Sequence, residues 1–280
     1  MRVSVVIPVF NEESAILDCL NSLKQQSYKD LEVIVVDDGS LDKSRESVRL
    51  IIGVKLLEQS HKGAGAARNL GAKQATGEIL VFVDADMTFD KKFIEMLTKP
   101  IRAGKTIGTF SKNEMVLNKK NIWSKCWNIN KRLPFDRMHP KNYPDTQPVF
   151  RAILKKEFLR VGGFDTIGYI DDHTLSEKLK TQALVAPDAF FYHRNPEDLI
   201  EIYNQARWIG KSEYKRRKIK NENIMRIVSL IRYNFLLSLV YGLTKAIYYK
   251  IPRFIFFKIV YDFAVEISLV KSFFKEQQYK

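Results

Sequence analysis

A chain of 280 residues with 45% hydrophobic and 28% charged residues has the composition of a folded globular protein, which excludes a disordered or fibrous chain. Its two cysteines, Cys19 and Cys126, show no CxxC or other ligand spacing, so a disulfide scaffold and a zinc site are excluded and both read as ordinary partly buried thiols. The net charge is +14, and from residue 200 onward 16 Lys/Arg stand against 6 Asp/Glu; these cations are interleaved with apolar runs, which suits an anionic lipid surface better than a nucleic-acid backbone.

The run Val3–Val9 reads as a strand at the very start of the chain, with no charged start, apolar region and cleavage site of a secretory signal before it. The N-terminal part is therefore expected in the cytosol. In Glu12–Gln26 the residues Ile16, Leu17, Leu20 and Leu23 recur at helical spacing, and Leu31–Val36 reads as a second strand. A second helix is predicted over Lys62–Ala75, stopping at Gly77, and a third strand over Ile79–Val83. Short apolar strands alternating with helices predict a mostly parallel sheet covered by crossover helices. Residues 105–160, punctuated by Pro134, Pro140, Pro144 and Pro148, predict loops and short elements. A turn at Gly162-Gly163-Phe164-Asp165 leads to Asp171-Asp172-His173, which opens a helix carrying Leu175 and Leu179. From Pro196 only helices are predicted, and from about Ile224 the chain becomes strongly apolar and aromatic. The expected organisation is an α/β domain over 1–200 and a helical tail over 201–280.

Carboxylates gather where the strands end. Ile79–Val83 runs into Asp84-Ala85-Asp86, and in extended chain positions i and i+2 point to one side, so both carboxylates can address one hard cation with its bound phosphates. Alone, so short a pattern also fits a polar loop. Leu31–Val36 ends in Asp37-Asp38-Gly39-Ser40, delivering carboxylates to the same sheet edge, where one can accept hydrogen bonds from a base or ribose; Asp-Gly is equally a common turn. Between them Gly63-Ala64-Gly65-Ala66-Ala67-Arg68 opens a helix with small residues, and Arg68 offers a planar cation to a phosphate or base, or to a salt bridge. Asp171 and Asp172 fit a catalytic base and its neighbour, or plain helix capping. His61, His139 and His173 have no nameable partner and read as loop or surface residues.

The blocks VSVVIPVFNEE (3–13), LEVIVVDDGS (31–40), GAGAARNLG (63–71), ILVFVDADM (79–87) and GGFD followed by DD (162–172) stand in the order of glycosyltransferase family 2, which the chain resembles over residues 1 to about 195. The resemblance implies the GT-A fold of nucleotide-diphospho-sugar transferases, a Rossmann-like, mostly parallel mixed sheet, here with a C-terminal helical extension. It implies that Pro8 and Glu12 lie beside the nucleotide, that Asp38 contacts the base, and that Asp84 and Asp86 hold ribose and a divalent metal, Mg²⁺ or Mn²⁺. Asp172 matches the catalytic base of an inverting transfer, with Asp171 assisting or binding acceptor, and His193 matches a histidine near metal and pyrophosphate.

The expected reaction moves a hexose-type sugar from a UDP- or GDP-sugar to a saccharide or lipid-linked acceptor hydroxyl. The alternatives are a polyprenyl-phosphate sugar synthase, whose ionised acceptor needs no base, and a non-catalytic nucleotide-sugar-binding module. Processive relatives carry QxxRW; here Asn204 stands in the glutamine's place before Arg207-Trp208, predicting one transfer per encounter. The basic run Lys215–Lys220 precedes apolar stretches interrupted by charges, and Lys258, Asp262 and Glu266 form an i, i+4, i+8 polar stripe, as in an amphipathic helix lying in a membrane interface. The expected location is peripheral, on the cytoplasmic face of the membrane, with packing onto protein or into a homo-oligomer as the other use of these helices.

Overall fold

The structure, a computed structural model, describes residues 1–140, 142–165, 171–211 and 222–274. It divides into two compact units, Met1–Met115 with His139–His193, and Val116–Met138 with Arg194–Lys280. The second, helical unit takes in residues 116–138 together with those from Arg194 onward.

The first unit is built on β1 (Val3–Val9), α1 (Ile16–Lys24), β2 (Leu31–Asp37), α2 (Ser44–Arg49), β3 (Val54–Glu58), α3 (Ala64–Gln74) and β4 (Ile79–Phe82). There follow β5 (Met87–Phe89), α4 (Phe93–Arg102), β6 (Gly108–Phe110) and β7 (Asn113–Val116). After α5 (Ile122–Lys131), which belongs to the second unit, come β8 (Thr146–Gln147), β9 (Ala152–Leu154), α6 (Lys155–Arg160), α7 (Asp171–Leu179), β10 (Ala183–Val185) and β11 (Phe190–His193). Among the described residues an eight-stranded sheet runs β3-β2-β1-β4-β9-β6-β10-β8. Its β3, β2, β1 and β4 are parallel, whereas β9 runs antiparallel to both β4 and β6.

The unbroken apolar run of β1 has a physical cause: both faces of the strand are covered. Val3, Val5 and Ile7 pack with Ile16, Leu20 and Leu23 of α1, while Val6 on the other face packs with Ala67 and Ala72 of α3. Small residues in α3 serve this packing, because a Cβ on Gly71 would run into the Val6 side chain. A smaller sheet, β5-β11-β7, lies within three short segments that the periodicity did not predict as strands.

The second unit contains α5, α8 (Leu199–Gly210), α9 (Glu222–Arg232), α10 (Phe235–Tyr249) and α11 (Arg253–Phe274). Its core gathers Trp127, Ile202, Phe254, Phe257 and Tyr261. One expectation is corrected here: Lys258 and Asp262 of the α11 stripe turn inward instead of facing water. Asp262 is 1% exposed and accepts hydrogen bonds from Lys258 Nζ at 2.7 Å and from the Ser238 hydroxyl of α10. Periodicity located the polar stripe, but the side it faces was decided by its hydrogen-bonding partners.

Candidate active site

The parallel strands deliver their polar residues to one sheet edge, as the backbone pattern requires. At the end of β2, Gly39 takes φ +83°, a conformation suited to glycine, and the chain turns around Asp37. Asp37 Oδ2 accepts from the Gly39 and Ser40 amides at 3.1 Å each, while its buried Oδ1 has no hydrogen-bond partner among the described residues. Asp38 organises the loop between β3 and α3: its carboxylate accepts from Gln59 Nε2 at 2.7 Å and from the Lys62 and Gly63 amides at 2.8 Å, with His61 Nδ1 at 2.9 Å. His61 in turn stacks on Phe10, ring centroids 4.2 Å apart.

Pro8 lies on β1 opposite Val36, and the loop after it is tied to the loop after β2. Asn11, with φ +57°, accepts from the Leu41 amide and donates its own amide to Ser40 Oγ; the Glu12 amide donates to Ser44 Oγ at 2.8 Å. These loops form one connected edge.

Beyond β4 the two aspartates of Asp84-Ala85-Asp86 go to different partners. Asp84 Oδ1 accepts from Arg68 of α3 at 2.7 Å, and Oδ2 from Arg151, just before β9, at 3.3 Å. Burial would push the Asp84 carboxyl up, but the two guanidiniums outweigh it and hold it well below the usual carboxylate range. Arg151 is placed by the antiparallel pairing of β9 with β4, through its carbonyl on the Phe82 amide.

Asp86 immediately precedes β5 of the smaller sheet. The β11 to β5 register sets His193 opposite Met87, so its Nε2 lies 2.8 Å from Asp86 Oδ2; on its other side Nδ1 lies 2.8 Å from Glu114 Oε1 of β7. Glu114 Oε2 is 3.0 Å from His139 Nε2, and His139 stacks on Tyr143 at 4.1 Å. Burial disfavours the His193 imidazolium, yet the flanking Asp86 and Glu114 push its pKa up to about 10. Burial likewise opposes ionisation of Glu114, and the two histidines overcome it and lower its pKa.

Among the described residues no three His, Cys, Asp or Glu side chains form a ready cation cage. The donor set fits a divalent cation through Asp86 and His193, since a nitrogen and an oxygen 2.8 Å apart can face one ion that replaces the shared proton. Such ions commonly take one or two protein ligands plus substrate phosphates. Asp84, with both oxygens on arginines, fits a direct ligand less well.

Asp171 and Asp172 form the first turn of α7; the Asp171 side chain falls outside the described residues, and Asp172 Oδ1 lies 4.0 Å from His173 Nε2. The structure therefore brings together Arg68, Asp84, Asp86 and His193, and adds Arg151, Glu114 and His139, which sequence reasoning missed. A dense cluster of opposite charges at a strand end, two guanidiniums beside a carboxylate–histidine pair, has the chemistry that a diphosphate and a cation require.

The profile described as Glycosyl transferase family 2 matches residues 4–161. Among curated proteins, the chain is 36% identical over 104 residues to the glycosyltransferase GlyA of Streptococcus pneumoniae, covering 36% of this chain and 15% of that one. It is 40% identical over 100 residues to the glycosyltransferase AglE of Haloferax volcanii, covering 33% of each. It is 38% identical over 102 residues to TarS of Staphylococcus aureus, a poly(ribitol-phosphate) beta-N-acetylglucosaminyltransferase, covering 34% of this chain and 18% of that one. The matched stretch thus spans a third or less of each of these relatives. Among solved structures, residues 1–349 of S. aureus TarS in complex with UDP superpose with a TM-score of 0.54 at 18% identity, covering 100% of this chain and 93% of that one. The mannosyltransferase PcManGT from Pyrobaculum calidifontis, in complex with GDP-Man and Mn²⁺, gives 0.57 at 19% identity, covering 97% and 87%. At such identities the likeness is one of fold, the GT-A fold. With the profile matching more than half its length, the chain belongs to glycosyl transferase family 2.

Proposed function

We propose that the protein is a glycosyltransferase that moves a sugar from a UDP- or GDP-sugar to a saccharide or lipid-linked acceptor hydroxyl, with inversion at the anomeric carbon. The observation that carries this reading is the charge cluster after β4, where Arg68 and Arg151 flank Asp84 beside the Asp86–His193 pair. Structural neighbours hold UDP, UDP-GlcNAc or GDP-Man in the same fold, one of them with Mn²⁺. In the proposed site Asp86 and His193 hold Mg²⁺ or Mn²⁺, with Asp84 acting on the ribose or through its two arginines. A cation bound there supplies positive charge for the departing diphosphate.

The remaining roles fall to the chain's own groups. Pro8 and Glu12 border the nucleotide, and Asp38 shapes the loop against which the base lies. Asp172 takes the proton of the incoming hydroxyl, with Asp171 beside it binding acceptor. The catalytic unit is proposed to work at the cytoplasmic face of the membrane, with the helical unit as its membrane-associated part.

A panel of UDP- and GDP-sugars with Mn²⁺, followed by release of nucleoside diphosphate for wild type and Asp86→Ala, tests the reading. Turnover of one donor, lost in the variant, is expected. Equal turnover in both would remove Asp86 from the site, and no turnover with any donor would leave a nucleotide-sugar-binding module.

A further inference from the structure

The C-terminal helices bury a small polar cluster inside their apolar core and carry apolar side chains on the outside as well. Ser238 and Asp262 are buried at 2% and 1% exposure, and Lys258 reaches Asp262 from within, its ammonium also lying over the rings of Tyr233, Tyr241 and Tyr261. Facing outward along α10, Leu236, Val240, Leu243 and Ile247 recur at i, i+4, i+7 and i+11 and so form one stripe, with Val240 59% and Ile247 77% exposed. On α9 the exposed residues Ile224, Ile227, Val228 and Ile231 repeat the pattern at i, i+3, i+4 and i+7. In water such stripes on two successive helices have no reason to face out, since monomeric proteins rarely expose contiguous apolar patches of this kind.

Charge decides what covers them. Between Glu222 and Asp262 the sequence holds six Lys/Arg and no Asp/Glu, and among the described residues the exposed ones stand near the ends of α10: Arg232 before it, Lys250 and Arg253 after it. Two copies of this face laid together would place those cations against one another, whereas anionic headgroups would neutralise them. Long basic side chains at the ends of an apolar helix, next to Tyr248 and Tyr249, are also the arrangement that reaches from acyl chains to headgroups. Among the described residues no helix is long and apolar enough to cross a membrane, and α10 has 15 residues where a span takes about 20.

We infer that α9 and α10 lie in the plane of an anionic lipid leaflet, with the Leu236, Val240, Leu243 and Ile247 stripe among the acyl chains and Arg232, Lys250 and Arg253 at the phosphates. This deepens the membrane part of the proposed function and is independent of its sugar chemistry. Where the expected amphipathic helix was α11 with a polar stripe toward water, the inference sets the contact on α9 and α10.

Flotation of the full chain with vesicles of phosphatidylcholine alone or with phosphatidylglycerol tests the inference, with UDP and GDP binding measured on the same preparations. The wild type is expected to float with the anionic vesicles and far less with neutral ones. Val240→Glu with Ile247→Glu should lower partitioning by on the order of a hundredfold, each change removing an apolar side chain worth about tenfold or more, with nucleotide binding unchanged. A nitroxide on Val240→Cys should gain protection from a water-soluble relaxation agent when anionic vesicles are added. Failure to float while nucleotide binds would overturn the docking alone; flotation without nucleotide binding would keep it and remove the donor reading. A wild type that stays off vesicles and sediments as a dimer, with the Glu variant a monomer, would assign the stripe to a second copy and overturn the inference.

Discussion

Glu114→Gln probes a residue with no signature in the sequence. Its carboxylate is 10% exposed and sits between His193 Nδ1 at 2.8 Å and His139 Nε2 at 3.0 Å. If Asp86 and His193 hold the cation, Glu114 fixes the ring so that Nε2 faces the ion and makes that nitrogen a better donor. Glutamine keeps the size and one acceptor oxygen but removes the charge. Carboxylates that orient a ligating histidine contribute about 10–100-fold in metal affinity, which is ~1.4–2.7 kcal/mol. Titration of Mn²⁺ in the presence of UDP or GDP, read as free Mn²⁺ by paramagnetic resonance, should show that loss. Nucleotide binding in chelator should stay at the wild-type level, because Glu114 has no place in base or ribose contact. Wild-type Mn²⁺ affinity in Glu114→Gln, alongside its loss in Asp86→Ala, would refute the argument that Glu114 acts through His193; wild-type affinity in His193→Ala would remove the histidine from the metal site altogether.

Three further outcomes are expected. Asp84→Asn leaves Arg68 and Arg151 without their carboxylate, and since breaking a buried pair costs ~3–5 kcal/mol while this one is 32% exposed at the aspartate, a loss of roughly 1–3 kcal/mol should appear in a urea midpoint. An unmoved midpoint would show that the arginines have equivalent partners elsewhere. Asp172→Asn should lower the turnover rate ~10²–10⁴-fold with donor affinity unchanged; full activity would point to an already ionised acceptor, such as a lipid phosphate. Burial opposes ionisation of Glu32, but hydrogen bonds from Ser4 Oγ at 2.5 Å and from Thr76 prevail and lower its pKa. Its contribution is therefore complete above the unfolded value of about 4.3 and lost as pH falls through the folded one, so Glu32→Gln should flatten the acid limb of stability against pH.

Much of the first edge of the candidate site was legible because it lies on apolar strands covered on both faces. β1, β2 and β4 announce themselves by unbroken apolar runs, and the runs of β2 and β4 each lead into a pair of carboxylates, Asp37-Asp38 and Asp84-Ala85-Asp86. The smaller sheet was not legible, for a physical reason: β5, β7 and β11 hold three or four residues each, too few for a period to show. Their partnerships also span the chain, Asp86 meeting His193 across 107 positions and Asp84 meeting Arg151 across 67. His193 came from family resemblance rather than from any pattern, and Arg151, Glu114 and His139 came from neither. In α5 the Asn121 side chain caps the helix through the Trp123 and Ser124 amides, a local signal outweighed by the prolines that follow. For α11 the periodicity was sound and the inference about its surroundings was not, since a polar stripe can face a buried serine as well as water.

The two aspartates of Asp84-Ala85-Asp86 illustrate what a motif leaves open. Extended geometry puts i and i+2 on one side and makes them look alike, as a joint cage for one cation. Their environments separate them: Asp84 lies at the end of the large sheet between guanidiniums from α3 and the segment before β9, while Asp86 enters the smaller sheet beside an imidazole. On the proposed reading Asp84 holds Arg68 and Arg151 at fixed positions before any ligand arrives, so that an incoming diphosphate meets donors that need no reorganisation. Asp86, with 41% of its side chain exposed and one oxygen shared with His193, remains the carboxylate able to give that oxygen to a cation. The same lengthening should then act differently at the two positions: Asp84→Glu pushes the carboxylate into the arginines without adding a ligand, whereas Asp86→Glu keeps a ligand and shifts the cation. Mn²⁺ affinity should survive Asp84→Glu far better than Asp86→Ala, and equal losses in the two would restore the joint cage.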